Sequence, residues 1–301
     1  MALKQIKNQI ITTKKTGQVT KAMESVSAVK MRKSQQKAFA GRPYVHAALR
    51  ILSRLAQSQD GLQHPLSTQR DSGKTLLVIV TSDKGLAGSV NSSVLKHVEK
   101  LFSEQPETDV IAIGRKALEF ANREDKTILS EYVNVKDDVE LADVLDSTKI
   151  IMEAFEAGDY QEVKVIYQNF LSTFEQEPTM RTLLPLDPEE LHHMMRGIKP
   201  KTGKFSDDVV DSSDATIDYT VEPSSEEVLD TLIPQLVQIM IYHSLLESKA
   251  SEHSARMVAM KNATDKSKEV AKALTLKYNK ARQAAITAEV SEITGGIEAM
   301  K

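Results

Sequence analysis

The chain has 301 residues, 41% of them hydrophobic, which is enough for a sizeable core. Its lack of cysteine excludes disulfides, thiolate metal sites, cysteine nucleophiles and thiol switches. No run approaches the roughly 18 consecutive apolar residues of a membrane span, and the N-terminus lacks the apolar core of a signal peptide. With no Trp, 5% aromatic residues and 27% charged residues, the composition favours helix over an all-β fold.

The net charge of −3 conceals an asymmetry. Residues 1–56 hold eight Lys and four Arg against one acid, Glu24, a net of +11, which leaves −14 for the rest. A basic helical arm on an acidic protein calls for an anionic partner surface: nucleic acid, lipid headgroups or carboxylates on another protein.

The first segment, residues 1–56, is predicted to be one long, slightly interrupted helix. Its apolar residues fall at Leu3, Ile6 and Ile10, then Val19, Met23 and Val26, then Ala48, Leu52 and Leu55. The phase change near Gly17 and the Gly41-Arg42-Pro43 cluster mark places where a kink or register shift is expected.

Residues 57–222 switch to alternating strands and helices. Leu76–Val80, Val110–Ile113 and Val163–Tyr167 read as buried strands; helices are expected near Asn91–Phe102, Lys116–Asn122 and Leu141–Ala157. This βαβ succession predicts an α/β, Rossmann-like, mostly parallel sheet with flanking helices. The polar stretch 188–213 reads as a flexible surface loop.

Residues 223–301 carry the plainest signal. Steps of three and four from Leu229 pass through Leu232, Leu236, Ile239, His243, Leu246, Ala250, His253, Met257 and Met260. They continue through Thr264, Ser267, Ala271, Leu274, Tyr278, Ala281, Ala285 and Ala288 to Glu292 and Gly295, mostly apolar. A helix from about Ser225 to Ile293 would be on the order of 100 Å long. That is too long for a compact domain, so it must project as a shaft. Its natural partner is the N-terminal helix, in an antiparallel coiled coil whose seam turns from Leu, Ile and Met to Ala toward the C-terminus.

Candidate chemistry is sparse. Thr81–Gly88 lies between a strand and a helix, where amides can hold an anion, but it lacks the spacing of a dinucleotide or P-loop motif and reads as a structural turn. Adjacent His192 and His193 cannot share the spacing of a helical metal site. His243 and His253 read as packed or paired seam residues, and Glu189-Glu190 and Asp207-Asp208 as solvated surface. No Gly-x-Ser-x-Gly elbow occurs. Lys30, Arg32, Lys33 and Lys37 cluster on the basic arm without interleaved aromatics, which leaves protein carboxylate and nucleic-acid phosphate equally open as partners.

Across nearly its whole length the chain resembles the γ subunit of F-type ATP synthases. The resemblance is carried by Val19–Glu24, Lys30–Lys33 and Arg42-Pro43-Tyr44, by Ser82–Gly88, by Leu183–Leu186 and Glu222-Pro223, and most specifically by Glu252–Thr264 and Tyr278–Glu289. The resemblance implies a rotor shaft that couples ion flow through a membrane ring of c subunits to ATP synthesis or hydrolysis on a ring of α and β subunits. It also implies an ε subunit as partner, no cofactor, no catalytic site in this chain, and a peripheral place on the cytoplasmic face of a bacterial plasma membrane. By the same resemblance Met23, Lys30, Arg32, Lys33 and Arg256 would meet the acidic levers of the β subunits, and Gln283, Thr287 and Glu289 the upper catch loops. The alternative from another class is a basic coiled-coil nucleic-acid-binding protein. The chain departs from the family pattern in a longer 188–213 loop, in Ser89 where glycine is frequent, and in lacking the cysteines of the chloroplast thiol switch.

Overall fold

The structure, a computed structural model, describes residues 3–56, 64–187, 222 and 224–299. The expected loop at 188–213, with its histidines and paired acids, lies outside them. The chain divides into two compact units: Met1–Ser27 with Arg256–Lys301, and Ala28–Ala255.

The second unit is built on a five-stranded sheet. Its strands are β1 (Lys74–Val80), β2 (Thr108–Ile113), β3 (Ile128–Tyr132), β4 (Tyr160–Phe170) and β5 (Gln176–Leu184), in the order β3-β2-β1-β4-β5. β1 pairs in parallel with both β2 and β4, β2 pairs in parallel with β3, and β5 closes the other edge antiparallel to β4. The mostly parallel sheet and its flanking helices match the sequence expectation.

Strand alternation explains why the central strands read as unbroken apolar runs. Leu76, Val78 and Val80 of β1 enter one core with Phe155, Val165 and Leu236. Leu77 and Ile79 enter the other, with Val94, Val98 and Phe120. Helices α3 (Val90–Glu104) and α4 (Arg115–Arg123) supply that second core, while α5 (Leu145–Glu156) supplies the first. A strand buried on both faces needs no polar positions.

The edge strands escaped the sequence reading for the complementary reason. β3 is only half-buried along its length and carries Ser130 and Glu131. β5 contains Pro178, which a sheet tolerates at an edge.

The terminal helices are α1 (Leu3–Ala40), α2 (Arg42–Ala56) and α6 (Ser225–Ala299), the last 75 residues long. Gly41 separates α1 from α2, one of the two expected interruptions. At Gly17 α1 continues without a break. α6 also continues past Ile293, through Gly295 and Gly296.

The N-terminal seam differs from its sequence reading. Val19 and Val26 are 59% and 52% exposed. Leu3, Ile6, Ile10 and Met23 are buried or half-buried as expected, and the inward positions in the first unit follow Ile6, Ile10, Thr13, Gly17, Thr20, Glu24 and Ser27. In the second unit Met31, Ser34 and Ala38 keep the same four-three spacing. Small and hydroxylated residues occupy a regular heptad seam that a search for large apolar side chains passes over.

Candidate functional site

The first unit is an antiparallel pair of helical segments in register. Thr20 and Thr264 share a hydroxyl–hydroxyl hydrogen bond of 2.7 Å. A Cβ added at Gly17 would sit 3.3 Å from that of Ser267, so glycine there permits close approach of the backbones. On α6 the three-four stepping expected from sequence, Met257, Met260, Thr264, Ser267, Ala271, Leu274, Tyr278, Ala281 and Ala285, is buried or half-buried, as are Arg256, Val258, Ala259, Ala263 and Thr275 beside it. Ala288, Glu292 and Gly295 of that same stepping are exposed. Beside the seam runs an open groove of about 910 Å³ edged by Lys14, Lys21, Lys268 and Lys272.

The expected contact residues in this unit divide by burial. Met23 is half-buried and Arg256 only 8% exposed, whereas Gln283, Thr287 and Glu289 are fully on the surface. Sequence reasoning missed a neighbouring feature: Ile286, Val290, Ile293 and Ile297 are all exposed and follow a four-three-four spacing. The stripe follows the seam by one and two positions in alternation, and that phase shift is the signal that finds it.

In the second unit the Thr81–Gly88 turn is a structural junction. Thr81 N–H donates to the Ile113 carbonyl, and Thr81 Oγ1 accepts from Ala117 N–H. Asn91 Oδ1 accepts from Ser82 N–H, while one carboxylate oxygen of Asp83 accepts from the Arg115 and Asn134 amides at 3.0 and 2.9 Å. Gly114 completes the joint with φ 92; a Cβ there would lie 2.2 Å from the Thr81 carbonyl oxygen. These bonds link the ends of β1, β2 and β3 to one another.

The basic cluster meets this junction through the segment that follows β3. Lys30 Nζ donates to Asp137 at 2.5 Å, Lys33 to Asp138 at 2.6 Å, and Lys37 pairs with Asp138 at 2.5 Å while donating to the Val139 carbonyl. Bonds from Lys33 and Lys37 hold the Asp138 carboxyl below its ordinary range. Burial pushes Asp137 up, but the Lys30 bond and the nearby charges of His253, Lys30 and Lys249 bring it below its usual value. Lys37 is held above its usual value by its bond to Asp138. Three of the four clustered cations therefore have carboxylate partners in the same chain. Arg32 is exposed and has no ion pair among the described residues.

Within this unit α6 is buried on almost every side from His243 to Ser254. Ser251 and Ser254 donate to the Gln168 and Thr173 carbonyls, and Glu247 accepts from the Phe170 amide. Small hydroxyls bring the helix close to the end of β4. His243 and His253 are buried, as expected of packed seam residues, with His253 Nε2 3.4 Å from Asp137. Among the described residues no cluster of three or more His, Cys, Asp or Glu could hold a metal, and no helix is long and apolar enough to cross a membrane.

A two-helix seam in one unit and a helix-flanked sheet in the other, each closed by its own polar ties, are the parts of a mechanical scaffold. Comparison with known proteins makes this particular. A family model described as ATP synthase matches residues 2–300. The ATP synthase gamma chain of Heliobacterium modesticaldum is 37% identical over 298 residues, spanning 99% of each chain. That of Geobacter metallireducens is 39% identical over 304 residues, spanning 100% of this chain and 99% of its own. A chain of the Tetrahymena thermophila mitochondrial ATP synthase central stalk and c-ring is 25% identical, with a TM-score of 0.58 over 81% of this chain and 99% of that one. A chain of the Euglena gracilis mitochondrial ATP synthase, at 17% identity, shares the fold with a TM-score of 0.66 over 99% and 94% of the two chains. The chain belongs to the ATP synthase gamma-chain family. Nothing in these comparisons supports the nucleic-acid-binding alternative.

Proposed function

We propose that this chain is the rotor shaft of an F-type ATP synthase, turning with a membrane ring of c subunits and passing that rotation to a ring of α and β subunits, with ε bound to the same rotor. The observation that carries this reading is α6: one 75-residue helix serves both the sheet-bearing unit and the two-helix unit. A covalent helix is the simplest part that carries rotation between them. The chemistry of ATP belongs in this reading to the partner subunits, and the chain contributes no catalytic group. Its bacterial relatives support a peripheral place on the cytoplasmic face of a plasma membrane.

The contacts with the ring are assigned as follows. Met23, Lys30, Arg32, Lys33 and Arg256 form the lever zone. Arg32 supplies most of its outward charge, because Lys30 and Lys33 are shared with Asp137 and Asp138. Arg256, being buried, acts by positioning its helix. Gln283, Thr287 and Glu289 form the upper zone, where the exposed stripe of Ile286, Val290, Ile293 and Ile297 gives an apolar bearing surface. Charged contacts steer and orient a partner without the interlocking that would stop rotation.

Affinity purification of the chain from native membranes tests the reading. Recovery of α, β and ring subunits is expected; salt-sensitive capture of nucleic acid without them would overturn it.

A further inference from the structure

The segment between β3 and the 3-10 turn at Leu141–Val144 is tied to both α1 and α6. At its start, the Asn134 amide is held by Asp83. Toward α1, Asp137 and Asp138 take Lys30, Lys33 and Lys37. Toward α6, the Val135 carbonyl accepts from Lys249, the Val139 carbonyl from Tyr242, and the Leu141 carbonyl from Gln238, while Asp137 faces His253. Val139 itself is buried in the first core. Lys30, Lys33 and Lys37 recur on one face of α1, and Gln238, Tyr242, Lys249 and His253 on one face of α6.

We infer that residues 133–141 act as a torque strap, tying α1 and α6 to the sheet so that neither helix turns about its own axis when the unit is driven. The inference rests on the rotor reading proposed above. Apolar packing is non-directional, and a core of Leu, Ile and Met side chains resists separation better than it resists slippage. Hydrogen bonds and ion pairs have directions, and these are arranged around both helices from one segment. Exposed ion pairs contribute little to stability singly. The strap therefore matters under load rather than at rest.

The test uses the assembled synthase in sealed vesicles and compares two rates per complex: ATP synthesis driven by an imposed ion gradient, and ATP hydrolysis with the gradient collapsed. Asp137→Ala with Asp138→Ala should lower the ratio of synthesis to hydrolysis by about twofold or more, from the size of ion-pair contributions. Hydrolysis itself should stay near wild type. Lys37→Asp with Asp138→Lys should recover more of the ratio than Asp138→Lys alone. A purely structural role would lower both rates in proportion to assembled complex, leaving the ratio unmoved, and that result, like an unchanged double variant, would overturn the strap. Because the ratio is independent of yield, poor assembly does not obscure the outcome, and Asp138→Asn provides a milder variant at an exposed carboxylate. Wild-type vesicles without gradient-driven synthesis would sink the rotor reading instead.

Discussion

The two stretches of α6 on either side of residue 255 solve different problems with one helix. Between His243 and Ser254 nearly every residue is buried, whichever way it points, and serines at the contacts let the helix lie close to the sheet. From Lys261 onward a single stripe is buried, narrowing to alanines, and after Ala285 no described residue is buried. The first stretch is held from all sides and the second is held from one. A shaft requires both: a root that cannot slip and a slender end that leaves its surface for partners.

The largest effect comes from emptying the root. Leu236→Ala removes a fully buried side chain from the core shared by α6 and the sheet, and should cost about 2–5 kcal/mol in chemical denaturation of the subunit. Filling the seam of the two-helix unit should cost less. Gly17→Leu places a branched side chain where a Cβ alone already meets Ser267 at 3.3 Å, and overpacking of this kind costs about 1–3 kcal/mol. Amide exchange should localise the loss to residues 3–27 and 256–285.

Smaller still is Thr264→Val, which keeps the shape of the seam and removes its shared hydroxyl bond. The expected cost is about 0.5–1.5 kcal/mol by the same exchange measurement, because Thr20 retains the Gly17 carbonyl. Acid probes the strap. The Asp137 carboxyl sits below its ordinary 3.8, so the stability its tie contributes is fully present above that value. It is lost only as the pH falls through the lowered folded-state value. Exchange at residues 134–140, corrected for intrinsic rate, should therefore be flat at neutral pH and rise only in acid; Asp137→Asn should weaken that dependence and leave the part that Asp138 carries. At the far end, Ile293→Ser should leave stability within about 0.5 kcal/mol, since the side chain is exposed, while weakening coupling in the complex.

What the sequence revealed follows the same division. The central strands, the α6 seam and the long terminal helices were legible because burial there is apolar and periodic. The α1 seam was not, since Thr13, Gly17, Thr20 and Ser27 do the work that Val19 and Val26 advertise, and only contact across the pair shows which face turns inward. Edge strands β3 and β5 were hidden by polar residues and by Pro178. The basic cluster was legible as charge but not in destination: its carboxylate partners Asp137 and Asp138 lie about a hundred residues away in sequence, and no local pattern joins them. The exposed isoleucine stripe was available in the sequence and differs from the seam only by phase.

The most direct measurement watches the shaft turn. The chain has no native cysteine, so Lys96→Cys, at an exposed position on α3, gives a single attachment point for a probe in a complex with the immobilised α and β ring. On addition of ATP the probe is predicted to rotate in one direction, in steps. ATP hydrolysis at an undiminished rate with the probe stationary would contradict the account.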